Sequence, residues 1–190
     1  LKTMLRKYSV AGIVAEIQDL KYLYIETHVN AYYNPSLASN SDSVKAVVTN
    51  NINTYADSSE MNKYGAKFKY SKFQAVVDNS NDSITSNITK IEIRRDMKPV
   101  LNSNAEYELC FGNQFYIKNN NGYNIKSSGF NIFGIADTVF LSDFPNQDSK
   151  TGNLFLFTLS SRANPTVVSS NVGTIDYEKG EILIKPINIT

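Results

Sequence analysis

The chain has 190 residues, 42% of them hydrophobic, and its 19 lysines and arginines against 18 aspartates and glutamates leave a formal net charge of +1. With no basic block and no acidic tail, long-range attraction to nucleic acid or to an anionic membrane is excluded as the organising interaction. One cysteine, Cys110, rules out an internal disulfide and fits a reducing compartment, and a chain of this size buries roughly 70% of its unfolded surface without one.

No apolar run reaches membrane-spanning length and no secretory signal is visible. The first residue is Leu1 rather than Met, which reads as an excised piece of a longer polypeptide or a trimmed chain. The abundance of Asn and the absence of Trp are compositional and point to no function.

Residues 1–21 predict a short helix to about Tyr8 and then an extended approach, because Gly12 and the β-branched Val10, Ile13, Val14 and Ile17 weaken a longer helix. From Tyr22 to Tyr33 the residues alternate. Leu23, Ile25, Thr27, Val29, Ala31 and Tyr33 share one face; Tyr22, Tyr24, Glu26, His28, Asn30 and Tyr32 share the other. That is a strand with one buried side, ended by Asn34-Pro35.

Ser41-Asp42-Ser43 supplies capping oxygens, and Val44, Val47, Val48, Ile52, Tyr55 and Ala56 follow at helical spacing. A shorter helix starts at Ser71, where Ser71 and Gln74 fit a capping box and Phe73, Val76 and Val77 form its buried side. Asp78 to Ser83 stops it. Ile91 and Ile93, alternating with Glu92 and Arg94, mark a second strand, and the out-of-phase Ile88 predicts a bulge or entry loop. Neither helix is long enough to stand alone in water, so each needs the sheet and the sheet needs them.

Lys98-Pro99 and Asn102-Ser103-Asn104 read as a boundary, giving an α+β unit over residues 1–98 and an antiparallel β-domain over 99–190. In the latter, Tyr107, Leu109 and Phe111 alternate, and Phe115, Ile117, Ile125, Phe130, Ile132 and Phe133 suggest further strand. Val139-Phe140-Leu141 is short and apolar. Asp143 to Gly152 reads as a surface loop. Leu154 to Phe157 is apolar on both faces, as in a central strand covered on both sides. Ile175 and Tyr177 lead into Glu178-Lys179-Gly180, with Gly180 closing a three-residue hairpin loop, and Ile182 and Ile184 lead out to Pro186. The expected fold class is therefore α+β: a small sheet covered by two helices, followed by an antiparallel β-domain.

The candidates for chemistry are thin, and no catalytic, cofactor-binding or metal residue is assigned. His28 has Glu26 on its strand face but no nucleophile placed with it, so it reads as a solvated histidine. Cys110 alternates with glutamates, the opposite of an activating setting. Asp78, Ser80 and Asp82 have calcium-loop spacing, yet the sixth and twelfth positions are Ser83 and Thr89 rather than Gly and Glu. Arg94, Arg95 and Lys98 form no phosphate loop. Three Asn-x-Ser/Thr triplets, at Asn81, Asn87 and Asn188, are attributable to chance in an Asn-rich chain. Tyr22, Tyr24 and Tyr32 are the candidate protein-interface residues, since a rigid ring with a water-tolerant hydroxyl suits interfaces. Coverage of that face within the same fold is the equal alternative.

The order of segments carries a resemblance. The run Tyr22-Leu23-Tyr24-Ile25-Glu26-Thr27-His28-Val29, then Asn34-Pro35, the helix Val44 to Ala56, Tyr64-Gly65-Ala66-Lys67-Phe68-Lys69-Tyr70-Ser71-Lys72-Phe73 and the strand from Ile84 to Asp96 resemble the C-terminal part of baseplate wedge proteins of T4-type contractile-tailed phages, related to the baseplate J family. Val172-Gly173-Thr174-Ile175-Asp176-Tyr177-Glu178-Lys179-Gly180-Glu181-Ile182 resembles that family's closing hairpin. The resemblance implies a virion component made in the host cytoplasm and without enzymatic activity. It also implies homodimers and other baseplate proteins as partners, with no nucleic acid, membrane or cofactor. A carbohydrate-binding β-module using tyrosine stacking is the competing reading. A hydrolase built on Asp143 and Asp148 comes third.

Overall fold

The structure, a computed structural model, describes residues 22–38, 40–161 and 163–190 together with Met4, Lys7 and Tyr8. The short helix and extended approach expected within residues 1–21 otherwise lie outside the described residues. The chain is α+β with β predominating: among the described residues it has two complete helices and two antiparallel sheets, of two and five strands. It divides into two compact units, Tyr24–Arg94 and one containing Arg95–Thr190.

The first unit runs β1 (Tyr24–Tyr33), α1 (Ser41–Ala56), α2 (Tyr70–Asp78) and β2 (Ile84–Arg94), with β1 and β2 paired antiparallel. Val44 and Val48 of α1 and Phe73 and Val77 of α2 form its buried centre, against which Val29, Ala31, Tyr33, Ile52, Tyr55 and Phe68 pack. The helices thus cover one end of the inner sheet face, and Ile93 at the other end stays 39% exposed.

Three local expectations are corrected here. The cap of α1 is Asn40, whose Oδ1 accepts from Ser43 N at 2.7 Å, so Ser41 and Ser43 lie inside the helix. Helix α2 starts one residue before Ser71, at Tyr70, and its N-cap Lys69 makes no side-chain cap bond, so the capping box does not form. Ile88 pairs in register with Asn30 and simply faces outward; the irregularity falls between Tyr32 and Tyr33, where Thr85 is the extra residue. A bulge shifts the phase of everything beyond it, and here it lies after the tyrosine face rather than within it.

The second unit contains β3 (Asn104–Cys110), β4 (Val139–Pro145), β5 (Thr151–Leu159), β6 (Pro165–Asp176) and β7 (Glu181–Asn188), in the order β3-β7-β6-β5-β4. Val139, Leu141, Leu154, Leu156, Ile175, Tyr177, Ile182 and Ile184 bury one side of this sheet. On the other side of β5, Phe155 and Phe157 meet Tyr123 edge-on at 5.2 and 5.5 Å, and Phe140 stacks on Phe157 at 5.6 Å. β5 is therefore buried on both faces as its apolar run predicts, although β6 is the middle strand.

The strands expected between Phe111 and Phe133 are absent. Residues 111–138 form an irregular cover whose Phe111, Phe115, Ile117, Ile125, Phe130 and Ile132 pack on the core, and its strand-like pairing is limited to the isolated bridges Phe130–Val139 and Ile132–Ile189. This cover also closes the outer edge of β4: Tyr123 N donates to Asp143 O, Ser127 N to Leu141 O, and Phe130 and Val139 exchange both bonds. A buried sheet edge must find partners, and these supply them. The closing hairpin has a four-residue turn, Tyr177 to Gly180, between the paired Asp176 and Glu181. Gly180 has φ +70°, and a Cβ there would lie 1.9 Å from Asn113 O, so glycine is required twice over.

Candidate interaction surface

Opposite residues of an antiparallel pair share a face. The register of β1 with β2 therefore puts Tyr24 beside Arg94, Glu26 beside Glu92, His28 beside Lys90, Asn30 beside Ile88 and Tyr32 beside Ser86, all on the side away from the helices. This outer face is open, with Tyr24 40%, Tyr32 52% and Ile88 61% exposed. Arg94 ties one end together, its guanidinium lying 4.6 Å from the Tyr24 ring centre and pairing with Glu26. A cation over a ring face at this distance is attracted to it. Tyr22 precedes β1 and is also exposed. Tyr24 and Tyr32 are thus about half exposed, and part of Tyr24 is met by Arg94.

The residues considered for chemistry do not converge. His28 is exposed on this open face. Cys110 is exposed and free, and desolvation together with Glu108 and Glu181 pushes its thiol up, away from the reactive thiolate. Ser80 donates its hydroxyl to Val76 O, and Asp78 accepts from Asn87 Nδ2 at 2.6 Å, so the calcium-like spacing is spent on ending α2. Among the described residues no cluster of His, Cys, Asp and Glu could hold a metal.

The expectation of a surface loop from Asp143 to Gly152 is overturned, and with it the paired-carboxylate idea. Asp143 lies inside β4 and is fully buried. Its carboxylate accepts from Asn124 N and Ile125 N at 2.7 Å, from Asn124 Nδ2 at 2.9 Å and from the Tyr177 hydroxyl at 2.6 Å. A carboxylate so saturated is a structural pin, not a general acid or base. Asp148 caps its own turn through Lys150 N and Thr151 N, which hold its carboxyl below the ordinary range. No sequence pattern announced the Asp143–Tyr177–Asn124 network, because its members come from three separate segments.

A groove of about 550 Å³ lies on the second unit between Tyr123, Phe144, Phe155, Val167 and Asn171. It has aromatic walls, and two of its amides are engaged: Asn153 Nδ2 donates to Asn146, and Asn171 Oδ1 accepts from Lys185. No helix among the described residues is long and apolar enough to cross a membrane.

Residues 21–96 match a family described as the baseplate structural protein gp6, C-terminal domain III. The match covers the first unit and does not extend to the closing hairpin. A search of curated proteins returned no match.

Proposed function

We propose, from the match of residues 21–96 to the baseplate structural protein gp6, C-terminal domain III, that the chain is a structural part of a contractile phage tail baseplate, joining copies of itself and neighbouring wedge proteins. Its place is the virion, after synthesis in the host cytoplasm, and it performs no catalysis. The family match over the first unit is the observation that carries this reading. The open face bearing Tyr24, Tyr32 and Ile88 supports it, because exposed aromatic and aliphatic side chains on a rigid sheet suit assembly by shape and burial. Tyr22, Tyr24 and Tyr32 are the residues assigned to contact neighbours. The near-zero net charge is consistent with partners recognised at short range rather than by long-range attraction.

Purified phage tails supply the test. The chain should be found in isolated baseplates by mass spectrometry. Tagged chain should retain other baseplate proteins, and Tyr24→Ala with Tyr32→Ala should weaken that retention at least about tenfold, as expected for central aromatic contacts. Absence from tails, with no baseplate protein retained, would overturn the reading. Specific glycan binding at the Tyr123–Phe144 groove would favour the carbohydrate module instead.

A further inference from the structure

The two edges of the β1–β2 sheet differ. The far edge of β2 is occupied by α2, because the Tyr70 hydroxyl donates to Thr89 O at 3.0 Å and Asn87 Nδ2 donates to Asp78. A carbonyl that accepts from α2 points away from β1. Val29, paired with Thr89, therefore aims its own peptide groups away from β2. By alternation the peptide groups of Ile25, Thr27, Val29 and Ala31 line the opposite edge of β1. No strand lies against that edge among the described residues.

This edge is regular. Tyr24 to Tyr32 pair one-for-one with β2, and the bulge comes only beyond them. The stretch is also balanced about His28. Tyr24 and Tyr32 are equidistant from it on the outer face, then Glu26 and Asn30; on the inner face stand Ile25 and Ala31, then Thr27 and Val29. An unpaired edge is a template for another strand, and a two-fold contact requires a surface complementary to itself.

Resting on the assembly reading above, we propose that β1 pairs antiparallel with β1 of a second copy about a two-fold axis at His28, joining two two-stranded sheets into one of four strands. Tyr24 of one copy then faces Tyr32 of the other, Glu26 faces Asn30, and Ile25 and Thr27 face Ala31 and Val29. The helices of both copies lie on the same side of the joined sheet. His28 meets its counterpart on the axis. The groups around each His28 are Lys90 opposite, Glu26 and Asn30 along β1, and Ile88 and Glu92 on the diagonal.

The full chain with Cys110→Ser should sediment as a concentration-dependent dimer. In that background His28→Cys should form an intermolecular disulfide on mild oxidation, since residues across a non-hydrogen-bonded position approach to about 4.5 Å between Cα atoms. Lys90→Cys, one strand away, should not. Thr27→Pro removes an edge N–H without touching the ladder to β2 and should weaken the dimer tenfold or more with an unchanged circular dichroism spectrum. If Thr27→Pro fails to fold, the cysteine pair decides. A chain monomeric throughout, equal crosslinking at Lys90→Cys, or a dimer indifferent to a folded Thr27→Pro overturns the proposal. So does a monomer whose Thr27-sensitive contact is to another baseplate protein. These outcomes leave the baseplate reading to its own test in isolated tails.

Discussion

Asp143 is a charged residue placed where an apolar one would be expected, and its four donors explain why it is tolerated. Replacing it with Ala strands two backbone N–H groups, an amide and the Tyr177 hydroxyl in a buried site. The expected loss is about 3 kcal/mol or more, read as a lower urea midpoint, since each unmet buried group costs about 1–3 kcal/mol. Burial first, and Asp143 second, push the Tyr177 hydroxyl above its ordinary value near 10. The unfolded chain therefore releases this proton at lower pH than the native one. The contribution is fully present below about pH 10 and is lost as pH rises beyond it. Tyr177→Phe should be less stable than wild type at neutral pH and should lose less of its remaining stability between about pH 10 and 11. Gly180→Ala must place a methyl against Asn113 O in a left-handed conformation and should cost at least about 1–2 kcal/mol by thermal unfolding.

Among the elements, α1 tests how capping was read. Asn40→Ala should destabilise the first unit by about 1 kcal/mol, whereas Ser71→Ala, at a helix start without a side-chain cap, should stay within about 0.5 kcal/mol. Helical circular dichroism against urea distinguishes them. Much of this unit was legible because its signals are local: alternation in β1, the Val44–Val48–Ile52–Tyr55 stripe, and Asn34-Pro35 as a stop. The outer tyrosine face followed from the same alternation. The segment 111–138 was not legible, because apolar residues that plug an irregular cover have the same spacing as strand residues. Asp143 was misplaced for a related reason. A polar run after Phe140-Leu141 looks like a loop unless its buried partners, eighteen to thirty-four positions away along the chain, are known.

For the whole molecule, the division at Arg94 suggests two units that unfold separately, a proposal open to hydrogen exchange. Phe73→Ala, at the buried centre of the first unit, should cost about 3–5 kcal/mol. It should abolish slow-exchanging amides in α1, α2, β1 and β2 while leaving those of β5, β6 and β7 protected. Equal loss throughout would make the chain one cooperative block.

The pairing of β3 with β7 has a temporal side. The first strand of the second unit has the last as its sole strand neighbour among the described residues, so on the ribosome β3 waits for the end of its sheet to emerge. Tyr24–Arg94 is continuous in sequence, and its own buried centre of Val44, Val48, Phe73 and Val77 is complete once Arg94 has emerged. A pause introduced after Asp176 should thus yield a nascent chain with a protease-resistant helical part and a digestible remainder.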